Sequence, residues 1–142
     1  MDNPLKTDIL LAMALAYAAI LAFRMWPRIQ AKLLGVPFIS AQHLKNRMDD
    51  LDKDDQLLII DVRLAYEFNG DLGHIPGALN LELAKLHEKL DALGDQLDAY
   101  KDEAIVVVCR TSKRSPKAAR ILFQHGFRNI SILKGGMQEW NL

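Results

Sequence analysis

The feature that most constrains this chain is an uncharged, apolar run near its N-terminus, Ile9–Phe23. As a helix the run spans roughly 22 Å at about 1.5 Å per residue, which is short for a bilayer core of about 30 Å. Extension to Leu5 and Trp26 closes this gap, because the flanking basic side chains can reach towards the lipid headgroups. The sequence therefore predicts a single transmembrane anchor over residues 1–26.

Two other interpretations of the run stay open, a cleaved signal peptide and an interfacial helix. A signal peptide would start with basic residues and end in small ones, whereas here MDNPLKTD precedes the run and FRMWPR follows it. A buried core helix would have a polar stripe, which this run lacks. The positive-inside rule predicts that the rest of the chain lies in the cytoplasm, because residues 24–48, which follow the run, include basic residues and no acidic one. The basic residues are Arg24, Arg28, Lys32, Lys45 and Arg47.

The remainder of the 142 residues is interpreted as a juxtamembrane connector, 27–37, and one globular domain, 38–142. Within the domain, short apolar runs typical of buried strands alternate with helical patterns. This alternation predicts an α/β fold with a parallel sheet covered by helices on both faces. The predicted strands are Leu57–Asp61, Ala78–Leu81, Ala104–Val108 and Asn129–Leu133. The predicted helices are Ala41–Met48 after an N-cap at Ser40, the leucine repeat Leu83–Leu97, Pro116–His125 and a turn at Met137–Trp140.

Composition excludes several classes of function. Lys and Arg together equal Asp and Glu at 18 each, so nothing suggests a nucleic acid as a partner. The single cysteine cannot form an intramolecular disulfide, and a lone thiol fits a reducing compartment. The four histidines are scattered without the spacing of metal ligands, and we therefore predict neither a metal nor a cofactor.

The chemistry is expected at Cys109, which directly follows the strongest predicted strand. Open α/β sheets place their sites at this carboxyl end of the strands. A polar, basic loop then leads into a helix, for which Ser115 is a suitable N-cap and Pro116 a favoured first residue. The backbone N–H groups of the loop and the helix dipole would together stabilise an anion there, including a thiolate.

A small cysteine at the end of a strand is by itself most often a buried structural residue. The combination of strand, cysteine, basic loop and capped helix instead favours a reactive thiolate at Cys109. The predicted substrate-binding residues are the loop and its cap: Arg110, Thr111, Ser112, Lys113, Arg114 and Ser115.

Four segments in this order resemble the recurring blocks of rhodanese domains: DVRLAYEF (61–68), GHIPGALNL (73–81), VVVCRTSKRS (106–115) and LKGGMQEW (133–140). The resemblance covers essentially the whole predicted domain. It implies a five-stranded parallel sheet with flanking helices, and a persulfide on Cys109 cradled by loop amides. An N-terminal hydrophobic anchor before one such domain resembles a bacterial subgroup, which implies the bacterial inner membrane.

The resemblance also implies a reaction and its partners. Sulfur would pass from thiosulfate or a protein persulfide to a thiol or to cyanide, and a membrane protein is a possible partner. Arg114 matches the family residue that helps to bind the donor anion, and Arg110 lies where substrate preference is tuned. One departure stands out, because many family loops have glycine where this chain has Ser112. If that position needs a positive φ, serine is strained there.

Three rival functions are weighed against this one. Phosphatases and arsenate reductases of related fold have five residues between cysteine and arginine, whereas four separate Cys109 from Arg114, which leaves less room for phosphate. A membrane-tethered docking module without turnover would not need the cysteine or the basic loop. A persulfide carrier that exchanges sulfur only with proteins stays open.

The other blocks are interpreted as structural. Asp61 and Arg63 are expected to hydrogen-bond within the domain, and Glu67 to pair with a nearby base. His74 is interpreted as a structural histidine rather than a catalytic base. The glycine pair before the last helix is expected to permit a tight turn, and Trp140 to pack against the core.

Overall fold

A computed structural model describes residues 4–33, 35–51 and 56–142. Its centre is one five-stranded, all-parallel sheet with the strand order β1-β5-β4-β2-β3. The predicted α/β fold with a five-stranded parallel sheet and flanking helices is therefore confirmed. The strands are β1 (Phe38–Ile39), β2 (Leu57–Asp61), β3 (Leu79–Asn80), β4 (Ala104–Val108) and β5 (Ile130–Leu133).

The helices of the described residues lie close to their predicted positions, except α3, where the sequence analysis predicted no helix. They are α1 (Pro4–Leu33), α2 (Ala41–Asp49), α3 (Ala65–Phe68), α4 (Leu86–Leu93), α5 (Ser115–Gln124) and α6 (Gly136–Trp140). The leucine repeat is not one helix, because 3-10 turns at Leu83–Lys85 and Gly94–Tyr100 flank α4. Leu86 and Leu90 still face the core as the spacing predicts.

Two apolar clusters cover the two faces of the sheet, as a doubly covered parallel sheet requires. On one face, side chains of α4 and α5 pack against β2, β4 and β5; they include Leu86, Ala118 and Leu122. On the other face, Leu44 of α2 and Met137 of α6 pack against the strands, and Trp140 joins them from α6. All five residues of β4 are buried between the two clusters, which fixes the end of that strand rigidly.

Capping residues are clear at two helix ends, and the N-cap at Ser40 is the one that the sequence analysis predicted. Ser40 caps α2, because its side chain accepts a hydrogen bond from the backbone N–H of His43 at 3.1 Å. Gly126 follows the end of α5 with a φ of 93°, a backbone conformation that favours glycine.

The N-terminal helix differs from the rest of the chain in its exposure. Its segment Thr7–Trp26 has a mean hydropathy of 1.9, and none of it is buried. The helix continues to Leu33, so the predicted connector (27–37) is helical over much of its length. Residues 1–3 of the predicted anchor and residue 34 of the connector lie outside the described residues. The segment is long and apolar enough to cross a membrane, a property that signal sequences share.

Candidate active site

Cys109 lies at the carboxyl edge of the sheet, directly after the central strand β4. It is only 1% exposed. The neighbouring strand β2 ends beside it, since the backbone N–H of Val62 donates to the carbonyl of Val108 at 2.9 Å. The two loops that leave β2 and β4 therefore start next to each other, at the edge where parallel α/β sheets carry their sites.

The loop Arg110–Arg114 presents a run of free backbone donors. Its five N–H groups donate to no group in the described part of the chain. Successive unpaired amides in a turn form a concave site that suits an anion. The side chains of Arg110 and Lys113 are exposed and add positive charge around the loop.

Ser112 adopts a left-handed backbone conformation. This is the conformation expected of a position where many loops of the family have glycine. The φ of Ser112 is 65°, and this serine is the one non-glycine residue with a positive φ in the described chain. An L-residue in this region costs about 1–2 kcal/mol relative to ordinary backbone. The loop therefore keeps the turn that a glycine would allow, and the chain carries the strain of a serine there.

The first turn of α6 holds the cysteine loop from outside. The backbone N–H of Met137 donates to the carbonyl of Cys109 at 2.9 Å, and that of Gln138 donates to the carbonyl of Arg110 at 3.1 Å. A β-carbon on Gly136 would collide with the Cys109 carbonyl, so only glycine allows this approach. Gly136 also has a positive φ of 59°. With their carbonyls bound to α6, the two residues keep a fixed backbone direction at the start of the loop.

Arg114, the last residue of the loop, forms a two-bonded ion pair with Glu67 of α3. Its Nη1 donates to Oε2 and its Nη2 to Oε1 of that carboxylate, both at 2.7 Å. Chiefly because of this side-chain hydrogen bond, the pKa of Glu67 falls from 4.5 to about 2, and the pKa of Arg114 is raised. A negative charge on Cys109, when its thiol is ionised, would raise the pKa of Arg114 further. The expected pairing of Glu67 with a base is confirmed.

A second ion pair, Asp61 with Arg63, is completely enclosed behind the site. The Nη2 of Arg63 lies 2.7 Å from Oδ2 of Asp61, and both side chains are buried. The guanidinium also donates to the carbonyls of Glu67 and Gly73, at 3.1 and 2.7 Å. Asn80 donates to the carbonyls of Asp61 and Arg63. This network joins β2, β3 and α3. It confirms the prediction that Asp61 and Arg63 hydrogen-bond within the domain.

The prediction that Ser115 is the N-cap of α5 is wrong by one residue. Arg114 occupies the cap position with nearly helical dihedral angles, φ −84° and ψ −28°, so Ser115 is already the first helical residue. The Ser115 hydroxyl is fully buried and has no hydrogen-bond partner in the described residues. Such a group is costly unless something else binds it, and it adjoins the loop that carries the free amides.

The predicted site residues Cys109–Ser115 form the loop directly after β4 and the first residue of α5. His74 instead has local contacts with Phe68. The His74 ring stacks on Phe68, and its Nδ1 lies 3.0 Å from the Phe68 carbonyl, in keeping with a structural role. Sequence reasoning missed the contribution of α6: the glycine pair of LKGGMQEW signalled a turn, but not its contact with the cysteine loop. Within the described segments, no three His, Cys, Asp or Glu side chains are placed to hold a metal.

Comparisons with known proteins agree with this fold. The family described as "Rhodanese-like domain" matches residues 40–142. The tRNA uridine(34) hydroxylase of Pectobacterium atrosepticum is 32% identical over 100 residues, which are 70% of this chain and 28% of that protein. The adenylyltransferase and sulfurtransferase MOCS3-2 of Zea mays is 38% identical over 84 residues, 58% of this chain and 17% of that protein. The chain thus spans less than a third of the length of either relative.

Solved structures support the same fold. A rhodanese-like domain protein from Staphylococcus aureus superposes with a TM-score of 0.60 at 26% identity. The similarity covers 74% of this chain and 91% of that one, so it leaves out a part of this chain about as long as the N-terminal helix.

Proposed function

Because the chain belongs to the rhodanese-like domain family, we propose that it is a sulfurtransferase that carries sulfane sulfur as a persulfide on Cys109. The donor is thiosulfate or a related compound, and the acceptor is a thiol or cyanide. The observation that carries the proposal is the row of five free N–H groups that directly follows the buried cysteine. A persulfide anion on Cys109 would find hydrogen-bond donors in this adjoining loop.

The first half-reaction loads the cysteine. The thiolate of Cys109 attacks the outer sulfur of thiosulfate, a new S–S bond forms, and the original S–S bond breaks with its electron pair leaving on sulfite. In the second half-reaction a nucleophile such as cyanide or a thiolate attacks the outer sulfur of the persulfide. The Cys109 thiolate leaves, and the enzyme returns to its starting state.

The side chains around the loop have distinct roles in this proposal. Arg114 attracts the anionic donor and stabilises the charge that develops on sulfite. The buried Ser115 hydroxyl supplies a further hydrogen bond to the anion, which would satisfy a donor that has no partner among the described residues. Arg110, Thr111, Ser112 and Lys113 form the backbone cradle and its basic rim.

The role of Arg114 is tested by its alanine variant with thiosulfate as donor and cyanide as acceptor, using the full chain in detergent. We expect Arg114→Ala to raise the apparent KM for thiosulfate about tenfold, because about 1.4 kcal/mol of charge-assisted binding is lost. An exposed arginine of α5 provides the matched control, Arg120→Ala, which should keep the wild-type KM. An unchanged KM in Arg114→Ala would remove this residue from donor binding.

A second variant separates lost binding from a stranded charge. Arg114→Ala leaves the Glu67 carboxylate without its partner, and that negative charge would itself repel thiosulfate. The double variant Arg114→Ala/Glu67→Gln removes both charges. A KM that stays raised there assigns the effect to the guanidinium, whereas recovery to the wild-type value would assign it to the carboxylate alone.

The N-terminal helix is proposed to anchor the domain in the bacterial inner membrane, with residues 38–142 on the cytoplasmic side. Its exposed apolar segment and the basic residues that follow support this arrangement. The chain should stay in the membrane pellet after washing at alkaline pH, with the N-terminal segment intact by mass. A soluble product that begins after this segment would instead identify a cleaved signal peptide.

A further inference from the structure

A groove of about 820 Å³ lies beside the cysteine loop, on the side of α6. The loop contributes Thr111 and Ser112 to it, and the segment after β5 contributes Lys134 and Gly135. The loop that follows Cys109 therefore forms part of the wall of the groove. The remaining lining residues are Phe38, Gln138, Glu139 and Leu142.

The groove is far larger than the small reactants of the proposed reaction. Its volume falls in the range of about 300–1,000 Å³ that is usual for whole ligand sites, whereas thiosulfate and cyanide have only a few atoms each. Two apolar side chains, Phe38 and Leu142, contribute part of its lining and are exposed to solvent. Neither small anion would use such an apolar surface, so the groove suits a larger acceptor.

The polar side chains of the groove are free to bind. Those of Lys134, Gln138 and Glu139 make no hydrogen bond or ion pair within the described chain. An amide, a cation and a carboxylate beside an apolar surface match the groups that a peptide presents. When the exposed Arg110 and Lys113 of the adjoining loop are included, the cationic side chains outnumber the one carboxylate side chain, that of Glu139, so a negatively charged peptide is favoured.

From these observations we propose that the groove is the acceptor site, and that it binds a protein cysteine with acidic neighbours. This inference rests on the proposed sulfurtransferase function and assigns its acceptor class. The cysteine thiolate of the partner attacks the outer sulfur of the Cys109 persulfide, and a new S–S bond forms. The bond to Cys109 breaks with its electron pair on Cys109, so the partner leaves as a persulfide. Lys134 pairs with the acidic neighbour, while Phe38 and Leu142 contact the peptide's apolar atoms.

Binding is tested first without any sulfur chemistry. The probes are two fluorescent, N-acetylated and C-amidated pentapeptides in which a central serine replaces the cysteine, flanked by two aspartates in one and two lysines in the other. The full chain in detergent should bind the aspartate peptide roughly fivefold more tightly. Lys134→Glu should abolish or reverse this preference, and Lys117→Glu, an exposed α5 lysine outside the groove, should preserve it.

Transfer is tested next with the cysteine versions of the same peptides, after Cys109 has been loaded with inorganic polysulfide. The single-turnover rate of sulfur transfer should show the same preference as binding, and the same response to Lys134→Glu. Equal binding of the two peptides, or a preference that Lys134→Glu leaves unchanged, would overturn the groove assignment. Binding preference without matching transfer would overturn its role as acceptor site.

Polysulfide loading keeps this test separate from the test of the proposed function. If the chain discriminates between the peptides but is not loaded by thiosulfate, the groove assignment stands and thiosulfate is excluded as the donor. If the chain is loaded by thiosulfate but binds both peptides equally, the proposed function stands and the groove assignment is contradicted.

Discussion

Asp61 ends β2 and Val108 ends β4, and these residues are paired in the sheet, so the loops after them begin side by side. The β2 loop carries Arg63, whose guanidinium is buried and donates to a carboxylate and two carbonyls. The β4 loop carries Arg114, whose side chain is a third exposed and, among the described residues, hydrogen-bonds only to the carboxylate of Glu67. The same residue type is thus enclosed and fully engaged in one loop, and partly exposed in the other, where we propose that it binds an anion.

At this edge of the sheet the two loops differ in how completely their hydrogen-bonding groups are satisfied, although each carries one arginine in an ion pair. In the β2 loop nearly every donor of Arg63 has a protein partner, so a substrate would find nothing to bind. In the β4 loop the backbone amides donate to no group of the described residues, and Ser112 is strained. The buried hydroxyl of Ser115, the first residue of α5, likewise has no hydrogen-bond partner in the described part of the chain. Unsatisfied groups and strain of this kind are retained where they contribute to function.

The largest effect is expected when the structural arginine is removed. Arg63→Ala leaves the buried carboxylate of Asp61 without its partner, and it should lower the free energy of unfolding by about 3–5 kcal/mol. Urea unfolding measures this loss, and the exposed α5 arginine provides the control: Arg120→Ala should change stability by less than about 0.5 kcal/mol. Similar losses in the two variants would break the contrast between buried and exposed arginines.

A smaller loss is expected when the contact between α6 and the cysteine loop is disturbed. Gly136→Ala adds a β-carbon against the Cys109 carbonyl, and we expect a loss of about 2–3 kcal/mol together with slower persulfide formation. Gly73→Ala is the matched control, because Gly73 has almost the same φ, 57°, but open space where its β-carbon would lie. The control should lose only the cost of the backbone conformation, about 1 kcal/mol. Equal losses would show that α6 does not constrain the loop.

The smallest effect concerns the ion pair between Arg114 and Glu67, and it depends on pH. Because the pKa of Glu67 is lowered from 4.5 to about 2, its stabilisation is fully present above pH 4.5 and is lost as the pH falls through 2. Glu67→Gln should therefore be less stable than wild type by about 1–2 kcal/mol at pH 7, a value discounted because Arg114 is partly exposed.

The two proteins should approach equal stability near pH 2, as followed by urea midpoints across this range. The control is Glu88→Gln on the exposed side of α4, which should follow the wild-type pH dependence. A constant difference between Glu67→Gln and wild type from pH 7 to pH 2 would contradict the lowered pKa.

Local sequence patterns predicted the parts of the fold that depend on nearby residues. The runs LLIID and AIVVV give β2 and β4 with the predicted bounds, since apolar, β-branched runs suit strands buried on both faces. The cysteine position after β4 follows from the same pattern. The predicted start of α5 was wrong by one residue, because the backbone of Arg114 already has nearly helical dihedral angles. The amino-acid sequence does not indicate such angles at a helix end.

Contacts between distant segments were beyond the sequence. Arg114 and Glu67 are 47 residues apart, and their pairing depends on how α3 packs beside the loop. The approach of Gly136 to Cys109 likewise depends on the packing of α6 under the sheet edge. The strained φ of Ser112 was anticipated only through the resemblance to loops that carry glycine, since a serine by itself does not indicate a left-handed backbone.

The most direct test of the proposed chemistry is the intact mass of the full chain after incubation with thiosulfate, and again after addition of cyanide. We predict a gain of one sulfur atom that cyanide removes, and no gain in Cys109→Ser, with urea unfolding to show that this variant is folded. A folded wild-type chain with a free thiol that gains no sulfur would contradict thiosulfate as donor. A gain that persists in Cys109→Ser would contradict the assignment of Cys109 as the sulfur carrier.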